Sequence, residues 1–339
     1  LAKPDGTSVD IETGRGLYAL YWEGIRSEKC NLKEGFVVKG NQTIQFLEEK
    51  LEKQYGTKIT KEIIEGYQTK RKTTLRINTI KSNIEEIKKE LEKEKIEYET
   101  IKWSKEALII KNADEKTIQE MEIYKNGKIY LQSLSSMLPP IILEPKEGTD
   151  ILDMAAAPGG KTTQIAALTN NKAHITACEK NKIRAERLKY NVDKQGATCV
   201  FIMPKDARFI DDFFSFDQIL LDAPCSGSGT LDYNDANVEK YFTEQLIERS
   251  SKTQKTLLSK AIKLLKPGHE MVYSTCSILD CENEDVVSSV IKHGNIEIVP
   301  INFEGMEELP ILPTKISGTL CVKPTELYEG FFVAKIKRL

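Results

Sequence analysis

The stretch that decides the fold is a short apolar run followed by a glycine turn, Asp150-Ile151-Leu152-Asp153-Met154-Ala155-Ala156-Ala157-Pro158-Gly159-Gly160-Lys161-Thr162. Residues 150–154 predict a strand, and the residues from the turn through Thr169 predict a helix. Small side chains and two adjacent glycines let a ligand approach the backbone closely. The turn opens onto a helix N-terminus, where backbone N–H groups have no partner within the helix. The stretch therefore predicts a cofactor-binding turn at the carboxyl end of a strand.

Strands and helices alternate around this turn from about residue 129, which is typical of a parallel sheet covered on both faces. Four further strands are predicted at 174–178, 199–203, 216–221 and 271–274. A long helical segment is predicted from about 237 to 265, and two late strands at 296–301 and 331–336. We therefore expect an α/β fold with a mostly parallel seven-stranded sheet over residues 129–339.

A smaller α+β module is predicted over residues 41–128. Helical spacing of apolar residues begins at Ile44 and stops at Gly56. Residues 74–80 and 107–110 predict strands, and a helix between them begins with Ser82 and Glu85, which have the spacing of a capping box. Residues 1–40 are left without an assignment.

Acidic residues follow the next two strands after the turn. Glu179 ends the second strand about 20 residues after the glycines, where an acid can bind the hydroxyls of a ribose. Asp206 lies just beyond the third strand and could reach an adenine amino group. The turn lacks the G-x-G-x-x-G and P-loop spacings, so a diphosphate is not the expected ligand. S-adenosylmethionine, an adenosine without phosphates, fits better, and the alternative is a tight turn without a ligand.

Two cysteines follow neighbouring strands of the predicted sheet. Cys225 follows the fourth strand in Asp222-Ala223-Pro224-Cys225, and Cys276 follows the fifth in Ser274-Thr275-Cys276. Two thiols beside a methyl donor suit methylation of carbon 5 of a pyrimidine, because a thiolate that adds to carbon 6 activates carbon 5. A base must then remove the proton from carbon 5.

The chemistry alone leaves the roles around these thiols open. Either cysteine could be the nucleophile, and the alternative is that both are buried structural cysteines. Lys161 could supply a positive charge that favours a thiolate. Asp222 could bind the cytosine amino edge or the ammonium group of the cofactor.

Composition limits the classes of partner. Lys+Arg total 49 and Asp+Glu 51, so a uniformly basic protein that coats nucleic acid is excluded. A local basic cluster in residues 70–81 could contact RNA phosphates, although lysines guarding a strand edge are the alternative. Its members are Lys70, Arg71, Lys72, Arg76 and Lys81.

The composition also indicates the cellular compartment and whether a metal site is expected. Because there are 7 cysteines without a C-x-x-C pair, we expect neither a disulfide scaffold nor a metal site. No apolar run approaches the length of a membrane span, and no signal peptide is recognised. We therefore expect a cytoplasmic protein without a membrane or metal partner, whose oligomeric state the sequence does not indicate.

Several of these stretches together resemble one family, the Sun-type (NSUN, RsmB-like) RNA cytosine-5 methyltransferases. The resemblance spans about 130–339, with a weaker match over about 44–128. The sequence departs from the family pattern at two places. Ala155 stands where many relatives have Cys, and His269-Glu270 replaces the usual second glycine and its neighbour after Lys266-Pro267-Gly268. The stretches that carry it are 131–137, 153–162, 222–227, 266–268, 273–277, 282–283 and 330–332.

The resemblance implies a Rossmann-like class I S-adenosylmethionine-dependent methyltransferase domain, preceded by an RRM-like module that assists RNA binding. It implies that Cys276 is the nucleophile and that Cys225 assists proton removal and enzyme release. The DNA enzymes use the Pro-Cys cysteine as nucleophile, so the presence of both motifs favours RNA. The implied cofactor-binding residues are Ala155, Ala156, Ala157, Pro158, Gly159, Gly160, Lys161, Glu179, Asp206 and Asp222.

The expected reaction is methylation of carbon 5 of a cytosine in rRNA or tRNA. One alternative is a methyltransferase that acts on DNA or another substrate. A second alternative, from another class, is a non-catalytic RNA-binding ribosome-assembly factor, which would tolerate the loss of both cysteines.

Overall fold

The computed structural model describes residues 44–235, 237–292 and 295–339. The unassigned residues 1–40 therefore lie outside the described part of the chain. In that part, no helix is long and apolar enough to cross a membrane.

Residues 44–131 contain a long interrupted helix followed by a small antiparallel sheet. The sheet has four strands in the order β2-β3-β1-β4, with helices on its core face. The elements are α1 (Gln45–Gln68), β1 (Thr74–Ile77), α2 (Ile84–Lys93), β2 (Tyr98–Ile101), β3 (Ser104–Ile110), α3 (Glu115–Glu120), α4 (Glu122–Lys125) and β4 (Ile129–Leu131).

The first turn of α2 differs from the sequence prediction by one residue. Asn83 is the N-cap, and its side chain accepts a hydrogen bond of 2.9 Å from the backbone N–H of Glu86. Ser82 instead donates its hydroxyl proton to the Glu86 carboxylate over 2.7 Å. Ser82 and Asn83 both fit the preference of helix N-caps for short polar side chains. Only the backbone conformation shows which of the two caps the helix.

Helix α1 packs on the large sheet of the following domain. Gly56 has a φ of 78° and interrupts the helix at the predicted position, after which the chain resumes a helical path to Gln68. Leu47, Leu51 and Tyr67 are buried in the core beneath that sheet. The predicted boundary of the module at residue 128 stays a prediction.

Residues 132–339 form the larger α/β region. Among its described residues, three 3₁₀ turns, Ala207–Phe209, Asp280–Glu282 and Met306–Glu308, join longer elements. These elements are α5 (Leu134–Leu143), β5 (Asp150–Asp153), α6 (Gly160–Leu168), β6 (His174–Cys178), α7 (Lys182–Gln195), β7 (Val200–Met203), β8 (Phe216–Asp222), α8 (Val238–Tyr241), α9 (Glu244–Leu264), β9 (Leu265–Thr275), α10 (Glu284–Ile291), β10 (Ile296–Val299), β11 (Ile311–Leu312), β12 (Leu320–Val322) and β13 (Phe331–Arg338).

The large sheet confirms the α/β prediction, but it has nine strands rather than seven in the described residues. Its order is β11-β12-β13-β9-β8-β5-β6-β7, and β10 pairs with β13. The strands from β9 to β7 are parallel, and β13 runs antiparallel to β9. The two strands that were not predicted, β11 and β12, have two and three residues, too few for an alternating pattern to show.

The order of the parallel strands creates a binding crevice. The chain leaves β5 toward β6 on one side and later returns to β8 on the other side. Ligands of such sheets bind at the carboxyl ends of the strands where the order reverses. Helices cover both faces, since buried residues of α1, α9 and α10 lie in one core and those of α5, α6 and α7 in the other.

Strand β9 begins earlier than predicted. Helix α9 ends at Leu264 and β9 already starts at Leu265, so Lys266-Pro267-Gly268 lies within the strand. The register with β8 shifts between Phe216 and Gln218, which accommodates these residues as an irregularity. Proline and glycine in a strand commonly mark such a bulge.

Candidate active site

The glycine turn after β5 has the geometry predicted for it. Gly159 is the N-cap of α6 and has a φ of 110°, a conformation that side chains disfavour. A Cβ atom there would also meet Leu188 Cδ1 at 3.0 Å. Ala156 and Ala157 are buried, whereas Pro158 is exposed. The turn therefore presents backbone and small side chains at the N-terminus of α6.

The turn is preceded by a buried acid with an open acceptor. Asp153 ends β5, and its Oδ2 accepts a hydrogen bond of 2.7 Å from the hydroxyl of Thr162. Its Oδ1 is buried and accepts no well-formed hydrogen bond, although the nearby backbone N–H of Ala155 favours the charged form. Burial raises the pKa of Asp153 to about 6 although Thr162 favours the charged form. A buried oxygen without a partner is rare in folded proteins and is consistent with a ligand that donates to it.

Glu179 and Asp206 follow β6 and β7, as predicted. Glu179 Oε1 accepts from the backbone N–H of Asn181 over 2.8 Å, and its Oε2 lies 3.5 Å from Arg184 Nη1. Asp206 accepts hydrogen bonds from Arg208, which lower its pKa. Each carboxylate has about four lone-pair sites, so both can accept further hydrogen bonds from a ligand.

The two cysteines are in direct contact. Cys225 Sγ lies 2.8 Å from Cys276 Sγ, and both side chains are partly exposed. They meet because β8 and β9 are parallel neighbours with Asp222 opposite Ser274. The hydrogen bond with Cys276, followed by burial, raises the pKa of Cys225 well above its ordinary value.

Lys161 and Asp222 form an ion pair beside the thiols. Lys161 Nζ lies 2.8 Å from Asp222 Oδ2 and donates to Ser136 Oγ over 2.8 Å. Asp222 Oδ1 accepts a hydrogen bond of 2.8 Å from Ser274. Burial opposes the charge of Lys161, but Asp222 outweighs it, with a smaller effect from Cys276, and the pKa of Lys161 is raised.

Sequence reasoning missed three polar residues that support this site. Ser136 binds Lys161, Ser274 binds Asp222, and Glu282 accepts hydrogen bonds from the loops that carry both cysteines. All three lie in stretches that carry the family resemblance, which was the only signal for them. Their contacts are long-range or run between loops, and local patterns carry no information about such contacts.

The structure corrects the assignment of Arg76 to RNA binding. Arg76 is only 3% exposed, and its guanidinium donates to Gln132 Oε1 over 3.0 Å and to Thr163 Oγ1 over 3.1 Å. Burial lowers its pKa to about 10. Arg76 lies on β1, a central strand whose residues are buried throughout, so it joins the small sheet to α6 and is inaccessible to phosphate.

The other members of the basic cluster are fully or partly exposed. Lys70, Lys72 and Lys81 are exposed, and Arg71 is partly exposed. Lys72 pairs with Glu326 at 3.4 Å, and Lys81 donates to the carbonyl of Lys194 over 2.6 Å. Their RNA contact stays a prediction.

Comparison with known families places both parts of the chain. Residues 140–337 match the family described as 16S rRNA methyltransferase RsmB/F. Residues 45–115 match a domain described as RsmF/B-like and ferredoxin-like. The second match agrees with the small α+β sheet formed by β1 to β4.

Similar proteins come from archaea and bacteria. The tRNA (cytosine(49)-C(5))-methyltransferase of Pyrococcus abyssi is 36% identical over 275 residues, covering 78% of this chain and 88% of that protein. Ribosomal RNA small subunit methyltransferase F of Shewanella oneidensis is 35% identical, covering 78% of this chain and 57% of that protein. The chain thus spans little more than half of the bacterial relative.

Solved structures agree with these matches. A methyltransferase homologue from Pyrococcus horikoshii has a TM-score of 0.76 and 30% identity, covering 88% of this chain and 96% of that one. NSun6 from Pyrococcus horikoshii, determined with SFG, has a TM-score of 0.76 and 25% identity, covering 86% and 97%.

Proposed function

The chain belongs to the RsmB/F methyltransferase family, and from that membership we propose that it methylates carbon 5 of a cytosine in RNA with S-adenosylmethionine as donor. The membership confirms the family that the sequence resembles. One observation carries the proposal: Cys225 Sγ and Cys276 Sγ are 2.8 Å apart at the carboxyl ends of parallel strands. Two thiols in contact beside a cofactor turn match the needs of carbon-5 methylation, which requires a nucleophile and a base.

The residues around the turn fit S-adenosylmethionine. The small residues 155–160 and the N-terminus of α6 would border it, while Glu179 and Asp206 would accept hydrogen bonds from its ribose and adenine. The open acceptor of Asp153 supports the presence of a donor group at this place. When bound, this cofactor supplies a methyl group on a positively charged sulfur.

The chain's own residues would carry out the remaining steps of the reaction. Cys276, as a thiolate, would add to carbon 6 of the cytosine and place an electron pair on carbon 5. That pair would bond the methyl group as the bond between the methyl group and the donor sulfur breaks. Lys161, whose positive charge interacts with Cys276, would stabilise negative charge at the reacting sulfur. Cys225, once it has lost its own proton to solvent, would take the proton from carbon 5; the double bond between carbons 5 and 6 then re-forms and Cys276 leaves as a thiolate. Asp222, anchored by Lys161 and Ser274, retains acceptor sites for the cytosine amino group.

We propose a tRNA or an rRNA as the substrate, because the related enzymes are named for one or the other. The base must leave any helical stack to reach the thiols, which favours a loop or a flipped cytosine. We further propose a cytoplasmic location, which the six free cysteines among the described residues support.

The test is methyl transfer from labelled S-adenosylmethionine to purified tRNA, small-subunit rRNA, duplex DNA and free cytidine. We expect 5-methylcytidine in one RNA class only, identified by nucleoside mass spectrometry. Label in DNA or protein would contradict the proposal. RNA binding without any 5-methylcytidine, unchanged when both cysteines are replaced, would identify an assembly factor instead.

A further inference from the structure

A buried carboxylate connects the two loops that carry the cysteines. Glu282 is fully buried, and it lies in the 3₁₀ turn Asp280–Glu282 that follows the Cys276 loop. Its Oε1 accepts a hydrogen bond of 2.8 Å from the backbone N–H of Ser226, and its Oε2 accepts one from the Ser226 hydroxyl. The same Oε2 accepts a hydrogen bond of 2.7 Å from the hydroxyl of Ser277.

The donors on this carboxylate come from residues adjacent to the thiols. Ser226 directly follows Cys225, and Ser277 directly follows Cys276. One carboxylate therefore holds both loops at the residue next to the sulfur. Gln254 of α9 supplies a further donor, Nε2, at 3.2 Å from Oε1.

Glu282 is itself held firmly. The phenol of Tyr273 donates to the carbonyl of Glu282 over 2.6 Å. Asn283 donates to the carbonyl of Ser277 over 2.9 Å, which fixes the end of the Cys276 loop to the same turn. Burial of a carboxylate is costly unless hydrogen bonds compensate it. Here burial raises the pKa of Glu282, and the hydroxyl and amide donors favour its charged form.

The geometry points to Glu282 as a positioning residue that ties the Cys225 loop to the Cys276 loop and keeps the two thiols in contact. This inference rests on the proposed function, because contact between the thiols matters only if they act in one reaction. The carboxylate also has an electrostatic effect: after the hydrogen bond with Cys276 and burial, its charge contributes to the raised pKa of Cys225. Cys225 therefore keeps its proton at rest and has to lose it before it can act as a base.

The test uses phenylarsine oxide, which loses its oxygen as water when two neighbouring thiols each form a bond to arsenic. Peptide mass spectrometry locates the bridge on the full chain, without RNA or cofactor. The variants are Glu282→Ala, which removes the carboxylate, and Glu282→Gln, which keeps the shape and can bond the serine hydroxyls in reversed direction. The matched control is Glu284→Ala, which removes another buried carboxylate only two residues away that accepts from the backbone of Lys315.

We expect wild type, Glu284→Ala and Glu282→Gln to form the Cys225–Cys276 bridge. Glu282→Ala should form it at least about tenfold more slowly, with kcat for RNA methylation about 100-fold lower, as misplacement by about 1 Å can cause, and KM for RNA unchanged. In Glu282→Gln, the pH profile of Cys225 alkylation by iodoacetamide should shift to lower pH, since a neighbouring negative charge is gone.

Bridging of Glu282→Ala at the wild-type rate would overturn the inference. So would equal losses in Glu282→Ala and Glu284→Ala, because these would show a general effect on folding. If Glu282→Ala does not fold, the double variant Ser226→Ala/Ser277→Ala decides: unchanged bridging overturns the inference, and slower bridging supports it. If wild type forms the bridge but makes no 5-methylcytidine, the proposed function fails while the positioning role of Glu282 is still measured.

Discussion

Lys161 Nζ lies 2.8 Å from Asp222 Oδ2, so an ion pair joins the cofactor turn after β5 to the end of β8. Both side chains are largely buried, which strengthens the interaction relative to a surface pair. The ammonium group also lies 5.3 Å from the centre of the Phe331 ring and bonds Ser136. The arrangement fixes one positive charge at the place where the two thiols meet.

Replacing that charge tests its effect on Cys276. Lys161→Met keeps the length of the side chain but leaves no cation beside the thiols. We expect kcat for methylation to fall about 10- to 100-fold, because the positive charge that would stabilise negative charge at the reacting sulfur is gone. Single-turnover rates of methylation measure this. Lys182→Met, on the exposed start of α7, is the control. An unchanged kcat in Lys161→Met would contradict the assigned effect.

The two cysteines are expected to behave differently when each is replaced. Cys276→Ala should abolish turnover, because it removes the sulfur that is proposed to add to carbon 6. Cys225→Ala should trap a covalent RNA adduct in the presence of the cofactor, because release requires proton removal from carbon 5. Denaturing gels with labelled RNA measure the adduct, and Cys281→Ala is the control. An adduct in Cys276→Ala would reverse the two roles.

The contact between Cys225 and Cys276 was predictable because the carboxyl ends of neighbouring parallel strands meet at one edge. The turn at Gly159 was predictable for a similar reason, since its function depends on local backbone conformation. The burial of Arg76 was not, because a charge cluster in sequence says nothing of which strand becomes central.

Asp153 predicts a particular dependence of stability on pH. Its pKa rises from the ordinary 3.8 to about 6 on folding. The folded state therefore binds the proton more tightly, and the resulting stability is present below about pH 4 and lost as the pH rises through about 6. The shift corresponds to about 3 kcal/mol at most.

Asp153→Asn removes this titration. Without cofactor, its free energy of unfolding relative to wild type should increase between pH 4 and pH 8, by up to about 3 kcal/mol. Urea denaturation at several pH values measures the difference. Asp150→Asn, at the exposed start of the same strand, is the control. A constant difference between Asp153→Asn and wild type across this range would show that Asp153 does not carry the effect.

Substitution of Arg76 should lower folding stability, whereas substitution of the exposed lysines near it should weaken RNA binding. Arg76→Met leaves Gln132 Oε1 without its donor in a buried place, which costs about 1–3 kcal/mol, so Tm should fall.

Lys70→Ala/Lys72→Ala removes exposed charges whose ion pair contributes little to folding, so Tm should stay unchanged. If both lysines contact phosphates, the slope of log affinity against log salt should decrease by about 1.4 to 1.8. Thermal unfolding and RNA binding across a salt series measure both quantities on each variant. A wild-type salt slope in the double variant would assign these lysines to a solvated edge, because released counterions are the source of the slope.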